Sequence, residues 1–188
     1  MLKIFLPLIC FISFIIASNA TIIDSQYPWL RLPATPKLPS PVKDQSVELN
    51  GVKIWYTIYG SNNAPPLLFL HGGLGNSNYW AYQVKELKSK YRCILMDSRG
   101  QGRSTLSSRG ISYDLMTSDV IALLDYLGIS KVHVVGWSDG AIIGLNIAMK
   151  YPTRLRSLFA FAANYNPSGV KDITLSLLFF WLIFNELK

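Results

Sequence analysis

The chain has 188 residues, half of them apolar, with 18 Lys and Arg against 11 Asp and Glu and a formal charge of +7. The cations are dispersed. The densest set, Lys85, Lys88, Lys90 and Arg92, reads as the solvated face and exit of one helix, which excludes a nucleic-acid role. No His/Cys/carboxylate cluster implies a metal, and no cofactor is implied.

The first twenty residues, MLKIFLPLICFISFIIASNA, hold one cation, Lys3, then an apolar run from Ile4 to Ile16, then the small residues Ser18 and Ala20. This is the layout of a secretory signal peptide. It implies export, periplasmic or secreted, and no stable membrane span after cleavage; an uncleaved anchor is the alternative. Without residues 1–20, Cys93 is the sole cysteine, so no intrachain disulfide can form and stability must come from an apolar core. Residues 21–45 contain five prolines and little periodicity, and are expected as an extended leader.

In SVELNGVKIWYTIYG, Asn50-Gly51 between two alternating runs predicts a type I′ hairpin. PLLFLHGG predicts a buried strand. Trp80, Val84, Leu87 and Tyr91 at i, i+4, i+7 and i+11 predict an amphipathic helix, and RCILMD another buried strand. Ser112 is a candidate N-cap for a helix with Met116, Val120, Leu123 and Leu127 on one face and Gly128 as its stop. In KVHVVGWSDGAIIG, β-branched residues up to Val135 predict a strand covered on both faces. Gly136 and Gly140 flank Ser138 two residues away on each side, where small residues let a strand reverse into a helix. That helix, with Ile142, Ile143, Leu145, Ile147 and Met149 to pack on a sheet, ends before Pro152, and LRSLFAFAAN predicts a last strand. The order describes an α/β protein with a mostly parallel sheet and an N-terminal antiparallel hairpin.

Right-handed crossovers bring the carboxyl ends of parallel strands to one edge, and with them the loops HGGLGNS, DSRGQGRS and GWSDGA. In this order and spacing the three loops resemble those of the α/β-hydrolase family, over roughly residues 46–170. The resemblance implies that Ser138 is the nucleophile of an acyl-transfer reaction on a small-molecule carboxylic ester or amide, in an elbow of Gly136, Trp137 and Gly140. It implies an oxyanion hole from the amide of Asp139 and that of Gly73 or Leu74, where glycines allow backbone donors to approach. His71 and Gly72 are expected to shape their loop, and Asp97, Arg99 and Ser104 to brace neighbouring loops; His133, in a central strand, is expected as a satisfied core histidine. GWSDGA is similar to the valacyclovir-hydrolase or biphenyl-hydrolase-like branch, in which the acid beside the serine can receive an ammonium group; the other reading of Asp139 is a complement to the helix N-terminus. Aminopeptidases and cofactor-free perhydrolases share this elbow, whereas dehalogenases and epoxide hydrolases of the fold carry aspartate at the apex.

The family order is nucleophile, acid, histidine. After Ser138 the sequence offers only Asp139, Asp172 and Glu186 as acids and no histidine. The expectation is therefore the N-terminal part of a longer hydrolase, C-terminally truncated and nearly inactive, with a complementing C-terminal fragment as a possible partner. A non-catalytic remnant or binding module is the alternative. Residues 171–188, with Leu177 to Phe184 continuously apolar, form a tail of uncertain status.

Overall fold

The structure, a computed structural model, describes residues 37–164. The expected signal peptide, most of the leader and the apolar tail lie outside the described residues.

The chain opens with the hairpin, β1 (Lys43–Leu49) and β2 (Val52–Tyr59), paired antiparallel with Leu49 opposite Val52. Asn50 and Gly51 take φ of +50° and +77°, the pair of left-handed residues a type I′ turn requires. The strand starts earlier than the proline pattern suggested. The last leader proline is Pro41, so from Lys43 onward every residue can donate to the ladder, and Lys43–Gln45 pair with Tyr56–Ile58.

β3 (Pro66–Leu70), β4 (Arg92–Met96), β5 (Val132–Trp137) and β6 (Leu155–Phe161) complete a six-stranded sheet in the order β1-β2-β4-β3-β5-β6. The last four run parallel and β2 joins β4 antiparallel. Between β3 and β4 stand a 3-10 turn (Ser77–Trp80) and α1 (Ala81–Leu87). Trp80 and Val84 are buried as the periodicity predicted, but the helix stops before Tyr91. α2 (Tyr113–Tyr126) is capped by Ser112, whose hydroxyl accepts from the Leu115 amide at 3.2 Å, and the chain leaves it through Gly128 at φ +68°.

α3 (Asp139–Lys150) packs on the sheet through Ala141, Ile143, Gly144 and Ile147. Leu145 and Met149 do not pack inward: at about 100° per residue they fall off that stripe, and Met149 is 71 % exposed. A Cβ on Gly144 would lie 2.5 Å from a Leu158 methyl, so the glycine sets how closely α3 meets β6.

Two cores result. One lies between the sheet and α2 and α3, with Tyr56, Leu68, Ile94, Met96, Leu123, Val134 and Ile147. The other joins Phe69, Cys93 and Leu95 to Trp80 and Val84 on the opposite face. Burial of the Cys93 thiol pushes its pKa up to about 11, which suits a packing residue rather than a reactive one. The expectation that β5 is covered on both faces is half met: Val132, Val134 and Gly136 are buried, while His133, Val135 and Trp137 are only half-buried. α1 is short and lies over β3 and β4, so among the described residues it leaves that side of β5 open.

Candidate active site

β5 ends at Trp137 and α3 begins at Asp139, so Ser138 alone turns the chain, with φ +53° and ψ −116°. A non-glycine residue held there stores of order 1–3 kcal/mol of strain. Its neighbours make the turn possible. A Cβ on Gly140 would lie 2.1 Å from the Leu70 carbonyl oxygen, and one on Gly136 would lie 2.3 Å from the carbonyl oxygen of Gly140. The Ser138 amide donates to the Phe161 carbonyl at 2.9 Å, and its carbonyl accepts from the amides of Ala141 and Ile142. The half-buried serine is thus fixed at the carboxyl edge of the parallel strands. Asp139, first in α3, has an amide with no intrahelical acceptor, at the positive end of the helix dipole.

The loop after β3 presses on this elbow. A Cβ on Gly72 would be 3.1 Å from the Ser138 Cβ, and one on Gly73 would be 2.6 Å from Asp139 Oδ2. The loop closes in a turn, with the Gly75 amide donating to the Gly72 carbonyl at 3.2 Å. Leu74 occupies the left-handed region at φ +57° with its side chain in solvent. Gly72 and Gly73 therefore set backbone rather than side chain against Ser138 and Asp139, and Leu74 follows them with its side chain turned away into solvent.

His71 is buried, with Nδ1 2.8 Å from the Gly72 carbonyl oxygen and Nε2 accepting from the Ser98 amide at 3.0 Å. Because Nε2 accepts, the proton sits on Nδ1 and is donated to Gly72. Both nitrogens are spent on backbone, and neither is free to take a proton from a hydroxyl.

The loop after β4 is held by ions. Asp97 is fully buried and accepts from the Ser77 amide (2.8 Å), the Arg103 amide (2.9 Å) and Arg103 Nε (2.7 Å). Burial opposes its ionisation, but the hydrogen bonds from Arg103 and Ser77 outweigh it and hold the carboxyl below the usual range. Arg99 makes a two-pronged ion pair with Asp119 of α2 at 2.6 and 2.7 Å, both side chains fully buried. Ser104 donates to the Asp97 carbonyl at 2.6 Å and accepts from the Trp55 amide.

His133 bonds Ser157 through Nδ1 at 2.8 Å. It is half-buried rather than a core residue, because it stands on the open side of β5. Trp137 lies 5.7 Å from the Tyr79 ring, and with Tyr79, Trp80, Gln83 and Phe161 it lines a hollow of about 210 Å³ next to the elbow.

Three participants were missed by the sequence reading. Arg103 pairs with Asp97 and stacks 3.3 Å over the Trp55 ring. Asp119 had a visible signal, an acid in the apolar stripe of Met116, Val120 and Leu123, which demands a buried partner. Tyr113, whose hydroxyl donates to Asp139 Oδ1 at 2.8 Å, had none. Its phenol is pushed up to about 12, by burial first and then by the bond to the Asp139 carboxylate and its charge. No group of three His, Cys, Asp or Glu that could hold a metal ion occurs among the described residues.

A family model described as the alpha/beta hydrolase fold matches residues 65–182. The chain belongs to that family. Among curated relatives of this family member, the dihydrolipoyllysine-residue acetyltransferase component of the acetoin cleaving system from Pseudomonas putida is 33% identical over 63% of the chain and 32% of its own length. Epoxide hydrolase 4 from Mus musculus is 34% identical over 58% of the chain and 31% of its own length. Among solved structures, naproxen esterase (carboxylesterase NP) from Bacillus subtilis superposes with a TM-score of 0.63 at 26% identity, covering 67% of the chain and 45% of the esterase. The chain thus spans about a third of these curated relatives and under half of the esterase.

Proposed function

We propose that this chain carries the nucleophile part of a serine hydrolase that cleaves small-molecule carboxylic esters or amides through an acyl-enzyme on Ser138. The single observation that supports it is the elbow: a serine in a strained left-handed conformation, on a turn that only glycines at 136 and 140 allow, with the backbone of Gly72 and Gly73 packed against it. In this reading Ser138 Oγ attacks the acyl carbon and the alcohol or amine departs. The oxyanion is met by the amides of Asp139 and of Gly73 or Leu74, each such donor contributing about 3 kcal/mol in comparable enzymes. The hollow beside Trp137 takes an apolar acyl or leaving group. Relatives include proteins named as epoxide hydrolases, for which the fold uses aspartate at the apex; serine at 138 favours ester or amide chemistry.

The base is the open element. The sequence has two histidines. His71 spends both nitrogens on backbone and His133 faces a sheet surface, so we propose that these 188 residues acylate slowly and that a partner carrying a histidine, such as a complementing C-terminal fragment, completes the site. A serine hydrolase without its triad retains roughly 10³ to 10⁴ over water. We also propose export by way of residues 1–20, which the mass of the mature protein and fractionation would read.

Labelling with a fluorophosphonate probe tests the central reading. Labelling of wild type that vanishes in Ser138→Ala supports it; labelling unchanged in the variant, or absent from both, favours the second reading, a non-catalytic binding module, for which the engagement of both histidines is the supporting observation.

A further inference from the structure

A carboxylate directly after the elbow serine would ordinarily draw cationic substrates, since an unpaired charge at a pocket mouth raises the local concentration of its opposite. In this chain that carboxylate is already engaged. Tyr113, the first residue of α2, reaches across to α3 and donates its hydroxyl to Asp139 Oδ1 at 2.8 Å, while Oδ2 lies against Gly73, within 2.6 Å of where a side chain on that residue would begin. Oδ1 is held by the phenol, and Oδ2 lies beside the Gly73 backbone of the loop next to Ser138. No Lys, Arg or His is paired with Asp139 among the described residues, and the phenol is its side-chain hydrogen-bond partner.

We propose that Tyr113 determines the charge selectivity of this site: by clasping Asp139 it closes a cation subsite next to Ser138 and leaves the site suited to neutral esters or amides. The proposal deepens the reading of Ser138 as the centre of the site and rests on it for location only. A neutral substrate needs nothing from Asp139. A cationic one must displace the Tyr113 hydroxyl, and a hydrogen bond to a charged group contributes enough to make that displacement cost about tenfold in affinity. The bond from Tyr113 also fixes the carboxylate relative to the Gly73 loop, so the clasp and the loop geometry are one device. The raised phenol pKa accords with a hydroxyl that keeps its proton for Asp139 throughout the physiological range.

The test is binding rather than turnover, on the full chain, with benzylammonium as the cationic probe and benzyl alcohol as its neutral counterpart, followed by NMR titration. Wild type should bind the two with similar affinity. Tyr113→Phe should gain about tenfold for benzylammonium and nothing for benzyl alcohol, and adding Asp139→Asn should abolish the gain. A wild type that already prefers benzylammonium tenfold overturns the proposal. So does a Tyr113→Phe variant that gains nothing, or gains equally for both probes. An NMR titration that follows the Tyr113 ring checks the clasp itself: Asp139→Asn should lower its pKa, with burial still holding it raised, and a phenol that does not move would also count against it. Every readout here is binding or titration and none needs Ser138 to be a nucleophile, whereas the nucleophile reading is read by probe labelling, so a failure of that reading is distinguishable from a failure of this one.

Discussion

Gly136 and Gly140 show what a spacing in sequence can mean at the scale of single atoms. Their places on either side of Ser138 already pointed to a sharp turn, and the structure supplies the reason: each touches a carbonyl oxygen at a distance no Cβ tolerates. Backbone on backbone cannot relax as a side chain can, so Gly140→Ala should cost about 1–3 kcal/mol through overpacking alone. Gly128→Ala is the matched control. It has a left-handed φ of +68° but open space around it, and should lose only the conformational cost of about 1–2 kcal/mol. Urea denaturation of both variants checks this, with a lower midpoint expected for Gly140→Ala and loss of probe labelling in that variant only. The parts of the site carried by backbone and glycine were legible because glycine spacing is a steric statement. Tyr113 was not, because a tyrosine at a helix start is ordinary until the fold brings it to Asp139.

Between elements, the ionic groups of the loop after β4 do the joining. Arg99 ties that loop to α2 through Asp119, and Asp97 ties it to the 3-10 turn through the Ser77 amide and to its own far end through Arg103. The sequence motif named Asp97, Arg99 and Ser104 as braces but could not name what they hold, since Asp119 and Ser77 come together with them only in three dimensions. Asp97 carries a pH signature whose sign is fixed by its lowered pKa. In the unfolded chain the carboxyl takes up its proton near pH 4, whereas in the folded chain it stays ionised to lower pH. The unfolded state therefore binds more protons in that interval, and stability falls as pH falls. The contribution is complete above about pH 4 to 5 and disappears as pH drops through the folded pKa. Asp97→Asn should be less stable than wild type at neutral pH, and the gap between their urea midpoints should narrow on acidification; a gap that stays constant down to pH 2 would remove Asp97 as its source. The element pattern was otherwise well read: strands and helices fell where periodicity and caps placed them, and the misses, the early start of β1 and the early stop of α1, sit at boundaries that pairing partners decide.

For the whole molecule, the distribution of cover over the sheet matters most. One face is closed by α2 and α3, while on the other α1 reaches only part of the way, leaving a hollow of about 250 Å³ lined by Leu67, Tyr91, His133, Val135 and Phe159 among others. Phe159 and Phe161 are 63 % and 59 % exposed on β6, whose outer edge pairs with no strand among the described residues. The sequence marked LRSLFAFAAN as a strand and no more, because apolar content reports what a strand can bury and not which element arrives to bury it. An apolar strand presented in this way is a site of self-association. Phe159→Lys should therefore raise the concentration at which light scattering appears and reduce dye binding to exposed apolar surface, while changing the unfolding free energy read by urea by less than about 0.5 kcal/mol, as surface changes do. If Phe159 were instead covered in the intact chain, the lysine would bury an unpaired charge and cost several kcal/mol. The size of the stability change thus reads whether this face is free, and it does so at a residue that takes no part in the elbow.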